Sequence, residues 1–513
     1  MNRKSLKFRF AVSVLGNGLR GLLQFLTILI LARGLGPENY GHYSFLIGSF
    51  VAVRALLDLG TNEAFFTFLS KKKQKAGFIH AYVAWLGIQF FLSLLLIGWW
   101  IPEPWFTKIW LGLDRDLVLI AFTVVFLQHQ VWITLVRIGE SERLTHYVQA
   151  LNISLALTNL SLMGLLFLLG SLTLPLVFLL MAAEYLVAVG VAWKLFGVDR
   201  FPPGAVDRKK MFQDYLQYCS PLVIYNILQF GYEFADRWLL QNFGGPEQQG
   251  FFAVGFQFAA VSLVLSASML NLFWKEIAEA LEQGNAQRVK HLYHRVARFL
   301  VMLSAAISGL LIPWSSEIVQ GILGPKYVES APVLAIMFLY PIHQSIGLID
   351  VTLFMAAGHT RTFLIHGAVF MAVSIPIAYW VQAPADAPIP GLELGALGMA
   401  LKLVVLQFFQ SNARTWWNAR VHNWRFDWPH QFAAIGSALG LGALACQAAR
   451  AVGGGEPGAF PILPMGLSLL IYGGLIAGWF WLFPGLLGYT REELKNLLNQ
   501  LVIFPLTRFI RNG

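Results

Sequence analysis

The chain has 513 residues, of which 57% are hydrophobic and only 12% charged, against roughly 25% charged in an average soluble domain. That balance excludes a soluble globular enzyme, and apolar stretches of about 20 residues, long enough to cross a bilayer core, recur along the whole length. The formal net charge of +10 does not point to nucleic acid, because the cations collect in alternate short loops between apolar runs, the positive-inside pattern.

The N-terminus places Arg3, Lys4, Lys7 and Arg9 at the start of an apolar run. The run is longer than a signal-peptide core and no convincing small-x-small cleavage site follows, so it reads as an uncleaved first span. Apolar length then predicts spans at roughly 10–32, 42–68, 78–101, 117–137, 147–170, 173–196, 215–242, 250–274, 295–323, 330–357, 362–382, 394–415, 430–451 and 460–484. The fold class predicted is all-α, a polytopic membrane protein of about fourteen transmembrane helices.

One fragment is written twice. Gly36-Pro37-Glu38-Asn39-Tyr40-Gly41 follows the first span, and Gly245-Pro246-Glu247-Gln248-Gln249-Gly250 follows the seventh. A membrane chain built from two similar halves usually binds its substrate between them and rocks the halves around it, so the repeat points to transport. The domains expected are six-helix bundles at 1–196 and 215–415, a cytoplasmic linker at 197–214 with Pro202-Pro203-Gly204, two additional transmembrane helices at 416–484, and a tail at 485–513. Six spans per half keep the copies in the same orientation, so both Gly-Pro-Glu turns are expected on one membrane face.

Lysine and arginine set the orientation. Lys71, Lys72, Lys73 and Lys75 follow the second span, Arg137 and Arg143 the fourth, Lys194 to Lys210 the sixth, Lys275 to Arg298 the eighth, and Arg414, Arg420 and Arg425 the twelfth. The opposite loops hold only Arg33, Lys108, Arg115, Lys326 and Arg450. A multi-pass protein of the cell membrane with both termini cytoplasmic is expected. The tail opens with Thr490-x-x-Glu493, a capping box, and Leu494, Leu497, Leu498 and Leu501 follow at helical spacing up to Pro505. Direct lipid contact and packing on the base of the protein are both open for this amphipathic helix. Trp99, Trp100, Trp105 and Trp110 cluster at one interface and Trp416, Trp417, Trp424 and Trp428 at the other, as anchoring belts do, with sugar stacking as the alternative reading. Cys219 and Cys446 are far apart in apolar runs and suggest neither a disulfide framework nor a metal site.

Leu31-Ala32-Arg33-Gly34-Leu35-Gly36-Pro37-Glu38-Asn39-Tyr40-Gly41-His42-Tyr43 resembles the segment that closes the first span of Wzx-type polysaccharide-export flippases. These belong to the multidrug/oligosaccharidyl-lipid/polysaccharide (MOP) exporter superfamily, whose fold is the MATE/MurJ-like pair of bundles. The second copy at Gly245, preceded by Asp236-Arg237, and Gly324-Pro325-Lys326-Tyr327 resemble the same family. The resemblance implies an undecaprenyl-diphosphate-linked oligosaccharide, an O-antigen or exopolysaccharide repeat unit, flipped from the cytoplasmic to the outer leaflet. It implies membrane lipids as surroundings, proton or sodium coupling or none, and polysaccharide polymerase machinery downstream. The motif residues themselves read as turn and helix start.

Ionisable residues at bilayer depth cost at least ~2.5–3.5 kcal/mol each and usually face a cavity or a partner. A diphosphate needs cationic partners in a wet cavity, and arginine suits it through its forked donors. Arg20, Arg54, Lys402 and Arg237 are the candidate substrate-binding residues. Arg20 has no acidic residue within a turn of its own helix. Arg54 has Asp58 at i+4, the expected ion-pair partner, and Arg237 has Glu233 at i−4 and Asp236 adjacent, so pairing and substrate contact are both open there. Asp58, Glu184, Asp350 and His129 are the coupling candidates, with interhelical hydrogen bonding as the alternative for each.

There is no G-x-x-x-x-G-K-[ST] loop, no Cys/His cluster with metal spacing and no large outer loop, so neither an enzyme nor a cofactor is expected. The competing readings are a MurJ-like peptidoglycan-precursor flippase, a multidrug cation antiporter, which would want an acidic cavity, and a membrane oligosaccharide ligase or polymerase.

Overall fold

In hydrocarbon every backbone N–H and C=O must be satisfied within its own segment, and apolar runs of this length meet that demand as helices. The computed structural model describes residues 6–71, 76–196, 208–453 and 461–498, and they are almost entirely helical with no strand among them. In chain order the helices are α1 (Leu6–Asp58), α2 (Thr61–Lys71), α3 (Ala76–Leu95), α4 (Glu103–Trp110), α5 (Arg115–Phe126), α6 (Ile133–Ser141), α7 (Thr145–Leu168), α8 (Leu174–Leu195) and α9 (Arg208–Leu239). There follow α10 (Gly245–Glu282), α11 (Ala286–Leu311), α12 (Ser315–Leu323), α13 (Ala331–Met337), α14 (Tyr340–Ala356), α15 (Thr360–Gln382), α16 (Gly395–Val421), α17 (Trp428–Gly453), α18 (Ile462–Leu482) and α19 (Arg491–Leu498). π-Helical turns at Leu96–Trp100, Leu127–Trp132 and Leu240–Gly244 interrupt the third, fourth and seventh expected spans.

Among the described residues helix occupies most of each of the fourteen expected ranges, with breaks at Leu59–Gly60 and Phe338–Leu339. Among the described residues, nine helical stretches are by themselves long and apolar enough to cross a membrane, or ten if the bent pair Pro325–Met337 and Tyr340–Ala356 is one span. The difference has a physical origin. The stretch Leu15–Asp58 counts once although its 44 residues extend about 66 Å at 1.5 Å per residue, twice a bilayer core. It holds the first two spans, joined at Gly36. The seventh and twelfth spans, on α9 and α16, carry the polar and charged residues that keep them below that threshold.

The described chain forms two compact units, residues 1–254 with 367–399, and residues 255–366 with 400–513. In the first, the core is aromatic. Phe50 of α1 packs against Trp110 and Phe122, Phe90 stacks on Phe122, and Phe65 stacks on Tyr82 with ring centroids 4.2 Å apart. Arg115 at the start of α5 donates from Nη1 to the carbonyls of Ile97 (3.1 Å) and Gly98 (2.8 Å) and from Nη2 to that of Ile101 (3.1 Å), which satisfies the carbonyl end of the α3 span.

The repeated fragment is a pair of matched junctions. Gly36 (φ 76°, ψ 169°) and Gly245 (φ 81°, ψ 174°) adopt a backbone conformation open essentially to glycine alone. Each is followed by a proline that pre-sets the next helix. The two copies touch: a Cβ on Gly41 would collide with the carbonyl of Pro246, and one on Gly250 with the carbonyl of Pro37. The two turns therefore lie side by side.

In the second unit, Val301, Met302 and Ala305 of α11, Ile342 and Ile346 of α14, and Ala434 and Ala438 of α17 build one core cluster. In the turn between α10 and α11, Asn285 Oδ1 accepts from the backbone N–H of Arg288 (3.0 Å) and caps α11. The tail's capping box forms: Glu493 Oε2 accepts from the Thr490 N–H (2.8 Å) and Thr490 Oγ1 accepts from the Glu493 N–H (3.3 Å). These bonds hold the Glu493 carboxyl below the ordinary glutamate range. Leu494 packs on the α11–α14–α17 core, and Arg295 of α11 bonds Glu493 (3.4 Å) and lies over the Tyr489 ring (4.1 Å). The start of α19 is thus seated on protein, while its continuation toward Pro505 and the linker segment 197–207 lie outside the described residues.

Candidate functional site: buried charges of the first unit

Arg20 and Arg54 stand on either side of the Gly36 junction of α1. Both are half-buried, and the Nε of each is buried without a hydrogen-bond partner. A buried donor left unpaired costs ~1–3 kcal/mol, more when charged. Arg20 lies within electrostatic reach of the Tyr185 hydroxyl on α8, which also has Glu184, Tyr43 and a hydrogen bond with Gln128 around it. Arg54 lies within electrostatic reach of His129 and of Tyr82. Gln128, His129 and Gln130 occupy the π-helical turn Leu127–Trp132, and such turns are frequent at functional sites. Both amide atoms of Gln130 are buried and unpartnered. Glu184 accepts from Asn159 Nδ2 through Oε2 (2.7 Å), while its Oε1 is buried with no partner. Through Tyr185, Gln128 and His129 the first unit links the surroundings of Arg20 and Glu184 to those of Arg54, a polar neighbourhood on α1, α8 and the α5–α6 span.

Asp58 does not serve Arg54, as its spacing suggested. Its Oδ1 accepts from the Asn62 N–H (2.7 Å) and from Thr61 Oγ1 (3.0 Å), capping α2, and no Arg54–Asp58 ion pair occurs among the described residues. The chain leaves α1 at Leu59-Gly60, both at positive φ, and the carboxylate is drawn to the N–H groups that this turn exposes. Arg237 departs from expectation in a similar way. Its Nη1 donates to the backbone carbonyl of Glu233 (3.1 Å), while the Glu233 carboxylate accepts from Gln229 (3.0 Å). The guanidinium lies against Gly48 of α1, where any Cβ would collide with it. Arg237 is therefore packed into the α1–α9 contact.

Asp350 and Lys402 belong to the second unit, and both are buried. Asp350 is fully enclosed, and its carboxylate accepts from Tyr293 Oη (2.7 Å), Thr415 Oγ1 (2.7 Å) and Asn418 Nδ2 (2.8 Å). It ties α11, α14 and α16 together with three neutral donors. Nearby on α14, both ring nitrogens of His343 are buried without partners, and the ring sits edge-on to Phe408 at 4.9 Å. Arg414, assigned by loop position to the cytoplasmic cations, is buried inside α16 and lies over Phe363 at 5.4 Å.

No curated protein sequence matches the chain. Residues 9–274, more than half of the chain, match the polysaccharide biosynthesis protein family. The chain belongs to that family. Among solved structures it is similar to the lipid II flippase MurJ in an inward closed conformation, at 12% identity and TM-score 0.68 over 91% of this chain and 98% of that one. It is also similar to an inward-facing multidrug resistance MATE family transporter of the MOP superfamily, at 14% identity and TM-score 0.59 over 79% and 94%. A further match is a MOP superfamily transporter from Pyrococcus furiosus, at 14% identity and TM-score 0.52 over 81% and 96%. At these identities the likeness establishes the fold, which is MurJ/MATE-like.

The chain is thus a multi-pass membrane protein of the polysaccharide biosynthesis family with a MurJ/MATE-like fold, the fold that the resemblance of the Leu31–Tyr43 segment implied. Several residues of the polar neighbourhood were not singled out as site residues in the sequence. Tyr43, Tyr82, Tyr185 and Asn159 carry no charge, and aromatic or amide residues inside apolar runs are too common to mark a site. The Gln128-His129-Gln130 triplet was the one visible signal: three consecutive polar residues in mid-span.

Proposed function

We propose that the protein moves an undecaprenyl-diphosphate-linked oligosaccharide from the cytoplasmic to the outer leaflet of the bacterial cytoplasmic membrane by alternating access. The observation that carries this reading is the pair Arg20 and Arg54, two half-buried guanidiniums on one helix with unpartnered Nε groups. A diphosphate supplies the bidentate acceptors and the charge that would offset their desolvation. The family match supports the polysaccharide side of the reading, and the likeness in fold to a lipid II flippase supports the lipid side. The cationic pair disfavours a multidrug cation as cargo. Arg237 joins the proposal as a residue that holds α9 against α1. For coupling, Glu184 and His129 are the better placed candidates, since the Asp58 and Asp350 oxygens already accept hydrogen bonds that join helices.

The test is translocation of lipid-linked oligosaccharide in proteoliposomes. Arg20→Ala should accumulate normally and lose translocation, and Arg20→Lys should recover only part of it, because an ammonium keeps the charge and loses the fork. Normal translocation by Arg20→Ala would remove the main support for the reading.

A further inference from the structure

A groove of about 710 Å³ opens beside α4 in the first unit, lined chiefly by Glu103, Pro104, Thr107, Lys108, Trp238 and Asn242. None of these residues belongs to the buried-charge neighbourhood. The volume falls within the roughly 300–1,000 Å³ range of small-ligand sites. Trp238 forms one wall. Its Nε1–H donates to the backbone carbonyl of Lys108 (3.0 Å), which fixes the indole plane and ties α4 to the end of α9 that leads into the Gly245 junction. Around that plane stand groups suited to hydroxyl recognition. The Asn242 amide is exposed, in the turn Leu240–Gly244. Glu103 gives Oε2 to Arg115 (2.7 Å) and keeps Oε1 available, its side chain 73% exposed. The Thr107 hydroxyl donates inward to the Glu103 carbonyl (2.9 Å) and can still accept.

We propose that this groove is a carbohydrate-binding site that receives the glycan of the lipid-linked cargo. The identity of the cargo rests on the flippase reading above; the chemistry of the site does not. A sugar ring has an apolar C–H face and a rim of hydroxyls, and the groove offers a fixed indole face with an amide, a carboxylate and a hydroxyl at its edge. Glu103 is paired with Arg115, so Lys108 leaves the groove weakly cationic, and an anionic lipid headgroup is the competing occupant that the test must exclude. Its depth also fits. The neighbouring indoles of Trp99, Trp100 and Trp105 are 82%, 81% and 65% exposed, as belts at the headgroup level are, and a glycan tethered to a lipid is confined to that level.

The experiment uses the full chain in nanodiscs. The probe is oligosaccharide released by mild acid from the lipid-linked pool of the producing cells and labelled at its reducing end. Trp238→Leu keeps apolar bulk and removes the aromatic face; Asn242→Ala alters an exposed side chain and leaves the fold in place. Each is expected to weaken binding of the free glycan by about tenfold and to slow translocation of the lipid-linked form. The proposal is overturned if both variants bind the glycan as the parent protein does, or if they change the number of retained phospholipids in native mass spectrometry and leave glycan binding untouched. The two readings fail separately. A parent protein that binds free glycan but does not translocate the lipid-linked form sinks the flippase reading alone, and one that translocates it with groove variants unaffected sinks the groove alone.

Discussion

Asp350 and Arg20 are both ionisable groups inside apolar spans, and the structure gives them opposite circumstances. The Asp350 carboxylate has three donors on it, from α11 and α16. Truncation would strand the Tyr293 hydroxyl and the Asn418 amide in the core, while Thr415 Oγ1 retains the Ser411 carbonyl (3.0 Å) as a second acceptor. Asp350→Ala should therefore destabilise the protein by on the order of 3 kcal/mol, the cost of two buried unsatisfied donors. Asp350→Asn should cost less, since one acceptor oxygen remains. Thermal unfolding of the detergent-solubilised variants measures both, and equal losses would show that the hydrogen-bond network is not what Asp350 contributes. Arg20 retains a buried Nε with nothing on it, and its substitution belongs to transport. Mid-span position made both residues conspicuous; only their surroundings separate a structural tie from a group awaiting an anion.

Among the elements, the Gly-Pro-Glu junctions concentrate the repeat's geometry. Gly36 needs glycine for its backbone conformation, but a Cβ there would meet open space. Gly41 has ordinary helical surroundings, and its Cβ would meet the backbone of the other junction at Pro246. The first requirement is conformational, worth ~1–3 kcal/mol. The second is a backbone-on-backbone overlap that no rotamer change relieves, at or above the upper end of the ~1–3 kcal/mol typical of overpacking. Gly41→Ala should thus lower the melting temperature more than Gly36→Ala, and Gly250→Ala should behave as Gly41→Ala because the contact is reciprocal. The reverse order would mean that the two junctions do not pack against each other in the membrane. Elements were legible where one local rule decides them: the Thr490–Glu493 capping box formed as spaced, and helix occupies most of each expected range among the described residues. They were illegible where the rule acts over distance. Asp58 lies four residues from Arg54, but the N–H groups of the α2 turn compete for its carboxylate and win.

For the molecule as a whole, the alternation of basic loops predicts cytoplasmic termini, and α19 provides a place to test it. Asn496 is exposed on that helix, and both native cysteines are buried. Asn496→Cys should react with a membrane-impermeant maleimide in inside-out vesicles and stay unlabelled in intact spheroplasts; the opposite pattern would invert the topology. Hydropathy and the placement of lysine and arginine determined, without any structure, that this is a helical, multi-pass membrane protein, and the resemblance of the Leu31–Tyr43 segment pointed to the polysaccharide family that the chain matches. Each is a property of residues near one another in the chain, because insertion into lipid is decided segment by segment. The tertiary structure alone decided what the buried charges do. The donors on Asp350 lie 57, 65 and 68 residues away in sequence, and Arg237 reaches Gly48 from a different helix. Spacing along one helix predicts only partners on that helix, whereas the low dielectric of the interior rewards whichever donor or acceptor the packing of other helices brings within 3 Å.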